Sequence, residues 1–425
     1  MKLFFVLLCL LSVEYSRAQP DTLLLSRVQA ESLFLENNVD LLINQLNIDH
    51  ADAEILQAKL WPNPTLSIAE INLWNTGKEH SEDLPPLFGN WGKTTQVSAQ
   101  FEQLIYTASK KSKLVSIKKV DREIASTYFE ELLRNLKYEF RNSLTELQFL
   151  QQKEKLYKNL TANLERLISG FKNQLQQKNI SKSELVRLQF LKIQFQKQIN
   201  EIHKNRNVLV KELKLLMAQS PETFIVLTDE GFEMNLQQVE KLNHPELIQI
   251  AFENRSDLKI NRLEAKYFQK RLDYEKVMRI PDLTLGVSYD RGGGIMRDFV
   301  GFGVSFDLPF FNRNQGAIQQ AQIEIVQNEI LLQQKEREIG SELMLQLENL
   351  NRNLEMLSNF EPGFENDIDS LMQAHHQNFI VKNIGLIEYI DFTESYIESK
   401  EALLEIQKKL LVQFEEIQYV VGKEL

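Results

Sequence analysis

Apolar residues recur at three- and four-residue spacing over most of the chain, which is the pattern of amphipathic helices. One such segment has its apolar positions at Leu185, Leu188, Leu191, Phe195, Ile199 and Ile202. Between them stand many Glu, Lys and Gln residues, which favour helix and face water. The pattern predicts helices over about 22–60, 109–178, 181–217, 242–280, 314–380 and 384–421.

Four shorter stretches alternate apolar and polar residues, which is typical of strands with one apolar and one polar face. In one of them, Phe302 and Val304 alternate with Gly303 and Ser305. Each stretch is about 9–11 residues long, the length of a tilted strand that crosses a bilayer. The predicted strands form two pairs, 64–74 with 95–104 and 282–290 with 299–308.

The predicted helices are unusually long. At 1.5 Å per residue, a helix of nearly 70 residues would reach about 100 Å, and each shorter helix about 55–60 Å. Two short helices stacked end to end would therefore match one long helix. Such an arrangement suits the wall of a tall cylinder, whereas a globular domain does not need helices of this length.

The same order of elements occurs twice along the chain. Three pairs of segments match in the same order at a shift of a little over 200 residues, namely 36–41 with 253–258, 64–68 with 282–287, and 178–185 with 382–389. We therefore predict a tandem duplication. The first repeat covers 19–220 with a helical hairpin over 109–217, a linker covers 221–241, and the second repeat covers 242–425 with a hairpin over 314–421.

The first 18 residues have the features of a cleaved signal peptide. Lys2 supplies the positive start, Leu3–Leu11 supply a short apolar run, and Ala18 ends a small-residue cleavage motif. The lone cysteine, Cys9, lies inside this segment, so we expect neither a disulfide nor a lipid anchor. No later segment has 18 consecutive apolar residues, so any part that crosses a membrane must consist of strands.

Four strands are too few to close a barrel, and open sheet edges are not tolerated in lipid. Three chains would supply twelve strands, enough for a barrel with a wet interior. The expected fold is therefore mainly α with a small β part, in which long helical hairpins form a trimeric α-barrel and four strands per chain join a 12-stranded outer-membrane β-barrel. A water-soluble pair of β-hairpins is the alternative.

These features resemble the outer membrane efflux protein family, the TolC-like outer membrane factors. The resemblance rests on the duplication and on Trp61–Leu66, Ile280–Leu285, Asn254–Leu258 and Phe306–Gly316, and it covers essentially the whole mature chain. It implies a homotrimer in the lipid of the outer membrane with a large periplasmic part. It also implies two partners, a periplasmic adaptor (membrane fusion protein) and an inner-membrane pump of the resistance-nodulation-division type.

The resemblance indicates the transported substrate less narrowly than it indicates the fold and the partners. Phe306–Gly316 and Glu361-Pro362-Gly363 resemble the heavy-metal and cation efflux branch most, so metal cations are the expected cargo. Drug efflux and type I secretion remain alternatives within the same fold. A periplasmic coiled-coil adaptor or scaffold remains an alternative outside it, although neither would have paired membrane-type strands.

The family resemblance also points to a periplasmic gate, because acidic residues near the tip of the second hairpin ring the closed end of the tube. Here these residues are Glu388 and Asp391, which share a helix face at three-residue spacing. Three chains would bring six carboxylates to one axis, and such a ring favours cations. Glu184 and Arg187 occupy the matching positions of the first hairpin, so the repeats differ there. A solvated helix face is the alternative.

The hairpin tips are the expected contacts for the adaptor, and simple turn chemistry is the alternative. The residues concerned are Asn179, Ile180 and Ser181 in the first hairpin and Asn383, Ile384 and Gly385 in the second.

Composition and motifs argue against other functions. A net charge of -10 argues against nucleic acid as a partner, because phosphate binding needs a basic face. No phosphate-binding loop, dinucleotide fingerprint or zinc-binding His-Glu pair occurs, so we expect no enzyme, cofactor or metal site. His375 and His376 are adjacent, point about 100° apart on a helix, and are expected on the surface.

Overall fold

The computed structural model describes residues 22–72, 96–178, 180–232, 239, 242–291, 296, 298–361 and 363–425. The predicted signal peptide, the loop between the first pair of strands and Asn179 lie outside these residues. The elements are, in chain order, β1 (Thr22–Leu25), α1 (Arg27–Asn37), α2 (Val39–Lys59), β2 (Thr65–Asn72), β3 (Gln96–Ile105), α3 (Lys110–Gln176), α4 (Lys182–Leu216), β4 (Phe224–Leu227), α5 (His244–Asn254), α6 (Ser256–Met278), β5 (Leu283–Arg291), β6 (Asp298–Ser305), α7 (Gln315–Ser358), α8 (Phe364–Ile380) and α9 (Leu386–Val421).

The prediction of a mainly helical chain with a small β part is confirmed. β2, β3, β5 and β6 form one antiparallel sheet in that order. The helix α3 has 67 residues and α4 has 35, close to the predicted lengths of the first hairpin.

Two predicted helices of about 40 residues are each divided by one residue with an extended backbone. Asn38 separates α1 from α2 with φ −64° and ψ 120°. Arg255 separates α5 from α6 with φ −58° and ψ 122°. The prediction of continuous helices over 22–60 and 242–280 was therefore wrong. Apolar periodicity runs through each break because the residues on both sides still bury one face.

The long helix of the second repeat is also divided. α7 ends at Ser358, and α8 begins after Gly363, whose backbone is left-handed with φ 90°. The prediction of one continuous helix over 314–380 was wrong, and the first repeat has no such division in α3. Gly tolerates a positive φ because it has no Cβ, so Gly363 suits the left-handed position at which the new helix starts.

A second, small sheet was missed by the sequence patterns. β1 pairs in parallel with β4, with Thr22 opposite Phe224 and Leu25 opposite Leu227. Each strand has four residues, and an apolar run that short cannot be told from part of a helix by its periodicity.

The chain forms two compact units, and each draws on both predicted repeats. One consists of the chain up to Ile43 with Glu131–Arg255 and Glu338–Leu425. The other consists of Asn44–Glu130 and Ser256–Arg337 and contains the four-stranded sheet. The predicted repeat boundaries remain a prediction.

The backbone itself repeats. Three pairs of left-handed residues are separated by 204 or 205 positions, namely Ser109 with Asn314, Lys178 with Lys382, and Ala218 with Gly422. A positive φ is uncommon outside Gly, so three such pairs in the same order support a duplicated chain.

Candidate functional site

Both predicted hairpins turn with the same backbone geometry. Lys178 and Lys382 are left-handed, with φ of 61° and 65°. The amide of Lys178 donates to the carbonyl of Leu175 at 3.0 Å, and that of Lys382 donates to the carbonyl of Phe379 at 3.1 Å. In each hairpin, an amide of the turn therefore donates a hydrogen bond to a free carbonyl at the end of the first helix.

The two hairpin ends share one apolar core. Leu188 of α4, Phe379 of α8 and Tyr389 of α9 belong to the same cluster of buried side chains. The ring of Phe379 lies 5.4 Å from that of Phe171 on α3 and 4.5 Å from that of Tyr389. Aromatic contacts therefore fix the start of α9 relative to both helices beside it.

Glu184 is held by the turn that precedes it. Its carboxylate accepts hydrogen bonds from the Ser181 amide at 2.7 Å and from the Ser181 hydroxyl at 2.9 Å. Ser181 in turn caps α4, so the two residues form a capping box. The bonds from Ser181, with a smaller effect of the charge on Lys382, lower the pKa of Glu184.

Glu388 stands at the matching position but has no such cap. Gly385 replaces Ser181 as the N-cap of α9 and offers no side-chain hydrogen bond. Glu388 and Asp391 are exposed on either side of the buried Tyr389. Neither carboxylate forms an ion pair with another residue that the structure describes. The exchange of Ser for Gly therefore frees the second hairpin's carboxylate from a role in the turn.

The other residues predicted for the gate and the tips are mostly on the surface. Arg187 is exposed, and no ion pair joins it to another described residue. Asn383 donates its amide to the carbonyl of Asn378 at 2.8 Å. Ile180 is half-buried, and Ile384 packs against the shared core, so both apolar tip residues are partly engaged within the chain.

His375 and His376 pack against α9, so their predicted surface location was wrong. The ring of His375 stacks on that of Phe392 at 3.7 Å and 4°. Nδ1 of His376 lies 3.2 Å from the hydroxyl of Tyr389. Burial, with a smaller effect of Arg166, lowers the pKa of His376. Tyr389 and Phe392 directly follow Glu388 and Asp391 in the sequence. These aromatic residues could have indicated that the two histidines pack against α9.

The four-stranded sheet has one apolar face. Cross-strand neighbours in the register place Leu66, Phe101, Val287 and Phe302 in one row across the sheet. These side chains are 64%, 48%, 40% and 85% exposed, so the chain itself does not cover this face. The adjacent row on the other face contains Ser67, Gln100, Ser288 and Gly301.

Two kinds of element are absent from the described residues. None of their helices has a stretch long and apolar enough to cross a bilayer. Among the same residues, no three His, Cys, Asp or Glu side chains are grouped so that they could hold a metal ion.

No protein-family model and no curated protein matches the sequence. Solved structures do match over nearly the whole chain. CusC, described with its transmembrane channel formation, aligns at 15% identity with a TM-score of 0.71, over 97% of this chain and 96% of its own. The CmeC outer membrane channel of Campylobacter jejuni aligns at 12% identity with a TM-score of 0.71, over 93% and 85%.

The MtrE outer membrane channel of Neisseria gonorrhoeae, in its open state, aligns at 12% identity with a TM-score of 0.65, over 93% of this chain and 88% of its own. Identity this low relates the folds and leaves the activities open. The chain has the fold of the TolC-like outer-membrane channels, as its sequence resemblance predicted.

Proposed function

We propose that the protein is the outer-membrane channel of a tripartite efflux system, acting as a homotrimer without enzymatic activity. The observation that carries this proposal is the four-stranded sheet, whose apolar face is exposed in a chain with the fold of outer-membrane channels. An apolar face of this size needs a partner, and lipid is a fitting one.

The edges of the sheet suit closure by copies of the same chain. β2 and β6 are the outer strands, and the antiparallel order means that they run in opposite directions. β6 of one copy can therefore pair with β2 of the next in the same antiparallel sense. Three copies would close a barrel of twelve strands with the apolar rows outside and the polar rows lining the interior.

The experiment is to purify the full chain from membranes and to reconstitute it in planar bilayers. We expect that extraction requires detergent, that the detergent-corrected mass is that of a trimer, and that the bilayers show stepwise conductance. A protein that is fully soluble without detergent and has the mass of a monomer would overturn the proposal and favour a periplasmic adaptor or scaffold.

The gate belongs to the same proposal. Glu388 and Asp391 are exposed and share one face of α9, and Tyr389 between them is buried. Glu184 and Arg187 would line the same constriction from the first hairpin, with Glu184 already bonded to Ser181. Three copies would thus have acidic second-hairpin tips and mixed-charge first-hairpin tips around one axis.

We propose metal cations as the cargo and the hairpin tips as the adaptor contact, with an inner-membrane pump of the resistance-nodulation-division type as the energy source. Exposed carboxylates at the constriction support cation passage. A strain without this protein should lose tolerance to metal salts and keep its tolerance to drugs. The reverse result would assign drug efflux, and unchanged tolerance to both would favour a secretion duct.

A further inference from the structure

We propose that the end of the sheet next to the helices is an anchor for anionic phospholipid headgroups, built from Trp61, Tyr106 and Lys111 in the first repeat and from Phe310, Phe311 and Arg313 in the second. The inference rests on the proposed membrane position of the sheet. It adds that this end of the sheet lies in the periplasmic leaflet, on the side of the helices, and that it prefers anionic phospholipid.

The register brings the relevant segments to one end of the sheet. The strand residues paired there are Thr65 with Glu102, Ile105 with Leu283, and Thr284 with Ser305. The four connections between this end and the helices cover 60–64, 106–109, 279–282 and 306–314. Side chains from both repeats therefore meet along a single rim.

The rim of the first repeat combines two rings and a cation. The rings of Trp61 and Tyr106 lie 6.3 Å apart and 20° from parallel. Nζ of Lys111 lies 4.2 Å from the centre of the Trp61 ring. Trp61 is nevertheless 53% exposed. A half-exposed indole ring that lies beside another ring and an ammonium group suits the boundary between acyl chains and headgroups.

The rim of the second repeat exposes two adjacent rings. Phe310 is 67% exposed and Phe311 is 96% exposed. Nε of Arg313 donates to the carbonyl of Pro309 at 3.3 Å, which holds its guanidinium against the backbone of the same connection. Phe311 has almost no contacts inside the chain, so only lipid or another molecule could cover its ring.

The charge of the rim is opposite to that of the whole chain. The four connections, with the helical turn beside each, contain seven Lys or Arg residues and three Asp or Glu residues, although the whole chain has a net charge of -10. One of the acidic residues, Asp282, pairs with Lys110 at 2.8 Å. The remaining positive charge complements the phosphate of an anionic lipid, which attracts basic groups at a membrane surface.

A second copy of the chain is the rival occupant of this rim. The centres of protein interfaces are depleted of lysine. At this rim, by contrast, Lys111 lies against the exposed Trp61 ring, and Arg313 is two residues from the exposed Phe311. Rings and cations interleaved at the border of an apolar face fit the headgroup region better than a dry contact between chains.

The first experiment measures the depth of Trp61 in vesicles of phosphatidylcholine with phosphatidylglycerol. The chain has three Trp residues, so Trp74→Phe with Trp91→Phe leaves Trp61 as the only reporter. The vesicles contain lipid brominated either near the headgroup or deep in the acyl chain. We expect the shallow bromine to quench Trp61 fluorescence more strongly than the deep one.

The second experiment measures lipid preference with spin-labelled phosphatidylglycerol and spin-labelled phosphatidylcholine. The wild-type channel should immobilise the anionic lipid preferentially, and Lys111→Gln with Arg313→Gln should lose this preference. A matched control is Lys197→Gln with Lys204→Gln, which removes two exposed charges from α4 and should keep the preference. Phe310→Ser with Phe311→Ser should shift the quenching of Trp61 by releasing that part of the rim from the membrane.

Three results would overturn the anchor. If the vesicles conduct but neither bromine quenches Trp61, the channel function stands and the rim is covered by protein. If the rim and control variants show the same lipid preference as the wild type, the cations of the rim do not select the lipid. If no variant and no wild-type protein inserts or conducts, the proposed channel function fails and the anchor fails with it.

Discussion

Gly422 lies directly against the backbone of Arg255. A Cβ built on Gly422 would stand 3.0 Å from Cα and 3.1 Å from the amide nitrogen of Arg255. Gly422 also ends α9 in the left-handed conformation, with φ 73°. Arg255 is buried and donates to Glu342 at 2.5 Å and to the carbonyl of Val420 at 3.3 Å. The end of the last helix is therefore fixed to the division between α5 and α6.

We expect Gly422→Ala to lower the free energy of unfolding by about 1–3 kcal/mol, because the methyl group meets rigid backbone in a conformation that disfavours a side chain. Urea or thermal unfolding of the detergent-solubilised protein would measure it. The control is Ala218→Gly at the matching position of the first repeat, where φ is 50°. That variant should be neutral or more stable, by about 1 kcal/mol at most.

Equal destabilisation by both variants would show that the contact with Arg255 is irrelevant. Destabilisation by Gly422→Ala alone would support a fixed joint at this end of α9.

The first repeat makes a similar link with a different residue. Asn38 is 2% exposed, its Nδ2 donates to the carbonyl of Leu216 at 3.0 Å, and its Oδ1 accepts from the amide of Leu41 at 3.1 Å. We expect Asn38→Ala to cost about 1–3 kcal/mol of stability, because it leaves a buried carbonyl and a helix start without their bonds.

Asn38→Ser separates the two contributions, since the hydroxyl keeps an uncharged acceptor for the Leu41 amide and loses the donor to Leu216. Unfolding measurements should place Asn38→Ser between the wild type and Asn38→Ala if both bonds contribute. A cost below about 0.5 kcal/mol for Asn38→Ala would show that the link is dispensable.

These links mark the limit of prediction from the sequence. The helical periodicity and the alternation in 282–308 were enough to predict the helices and the apolar face of the sheet. Asn38 and Arg255 were not recognised as divisions, because each is a single residue between segments of the same period. Their role depends on carbonyls at Leu216 and Val420, far away in the chain.

The candidate gate was predictable only in part. The family resemblance pointed to Glu388 and Asp391, and matching the two repeats placed Arg187 at the position of Asp391. The exchange of Ser181 for Gly385 is also visible in the sequence. Its consequence depends on the capping geometry of Glu184, which a residue pattern does not specify. The stacking of His375 on Phe392 likewise depends on how α8 packs against α9.

The gate proposal predicts a change in conductance. Glu388→Ala with Asp391→Ala should raise the basal single-channel conductance and reduce the preference for cations, because the variant removes both bulk and charge from the constriction. Planar-bilayer recordings in asymmetric KCl would measure both quantities.

Glu388→Gln with Asp391→Asn is the matched control, because it removes the charge and keeps the size. It should reduce cation preference with little change in conductance. Records identical to the wild type in both variants would remove these residues from the gate.

The lowered pKa of His376, which lies near the tip of the second hairpin, predicts that the free energy of unfolding depends on pH. Burial lowers its pKa below the ordinary 6.5, so the unfolded chain takes up a proton at a higher pH than the folded chain does. The free energy of unfolding should therefore fall as the pH drops through about 6.5 and level off below the folded-state pKa. The Tyr389 hydroxyl that faces His376 stays uncharged in this range, because burial raises the pKa of Tyr389 to about 12.

His376→Gln keeps a side chain that can bond to the Tyr389 hydroxyl and has no proton to gain. The difference between the unfolding free energies of the wild type and this variant, measured from pH 8 to pH 5, isolates the histidine. We expect the wild type to lose stability relative to the variant toward pH 5. A difference that does not vary with pH would show that His376 titrates alike in the folded and unfolded chains. The contact between α8 and α9 would then not be weakened by protonation of this histidine.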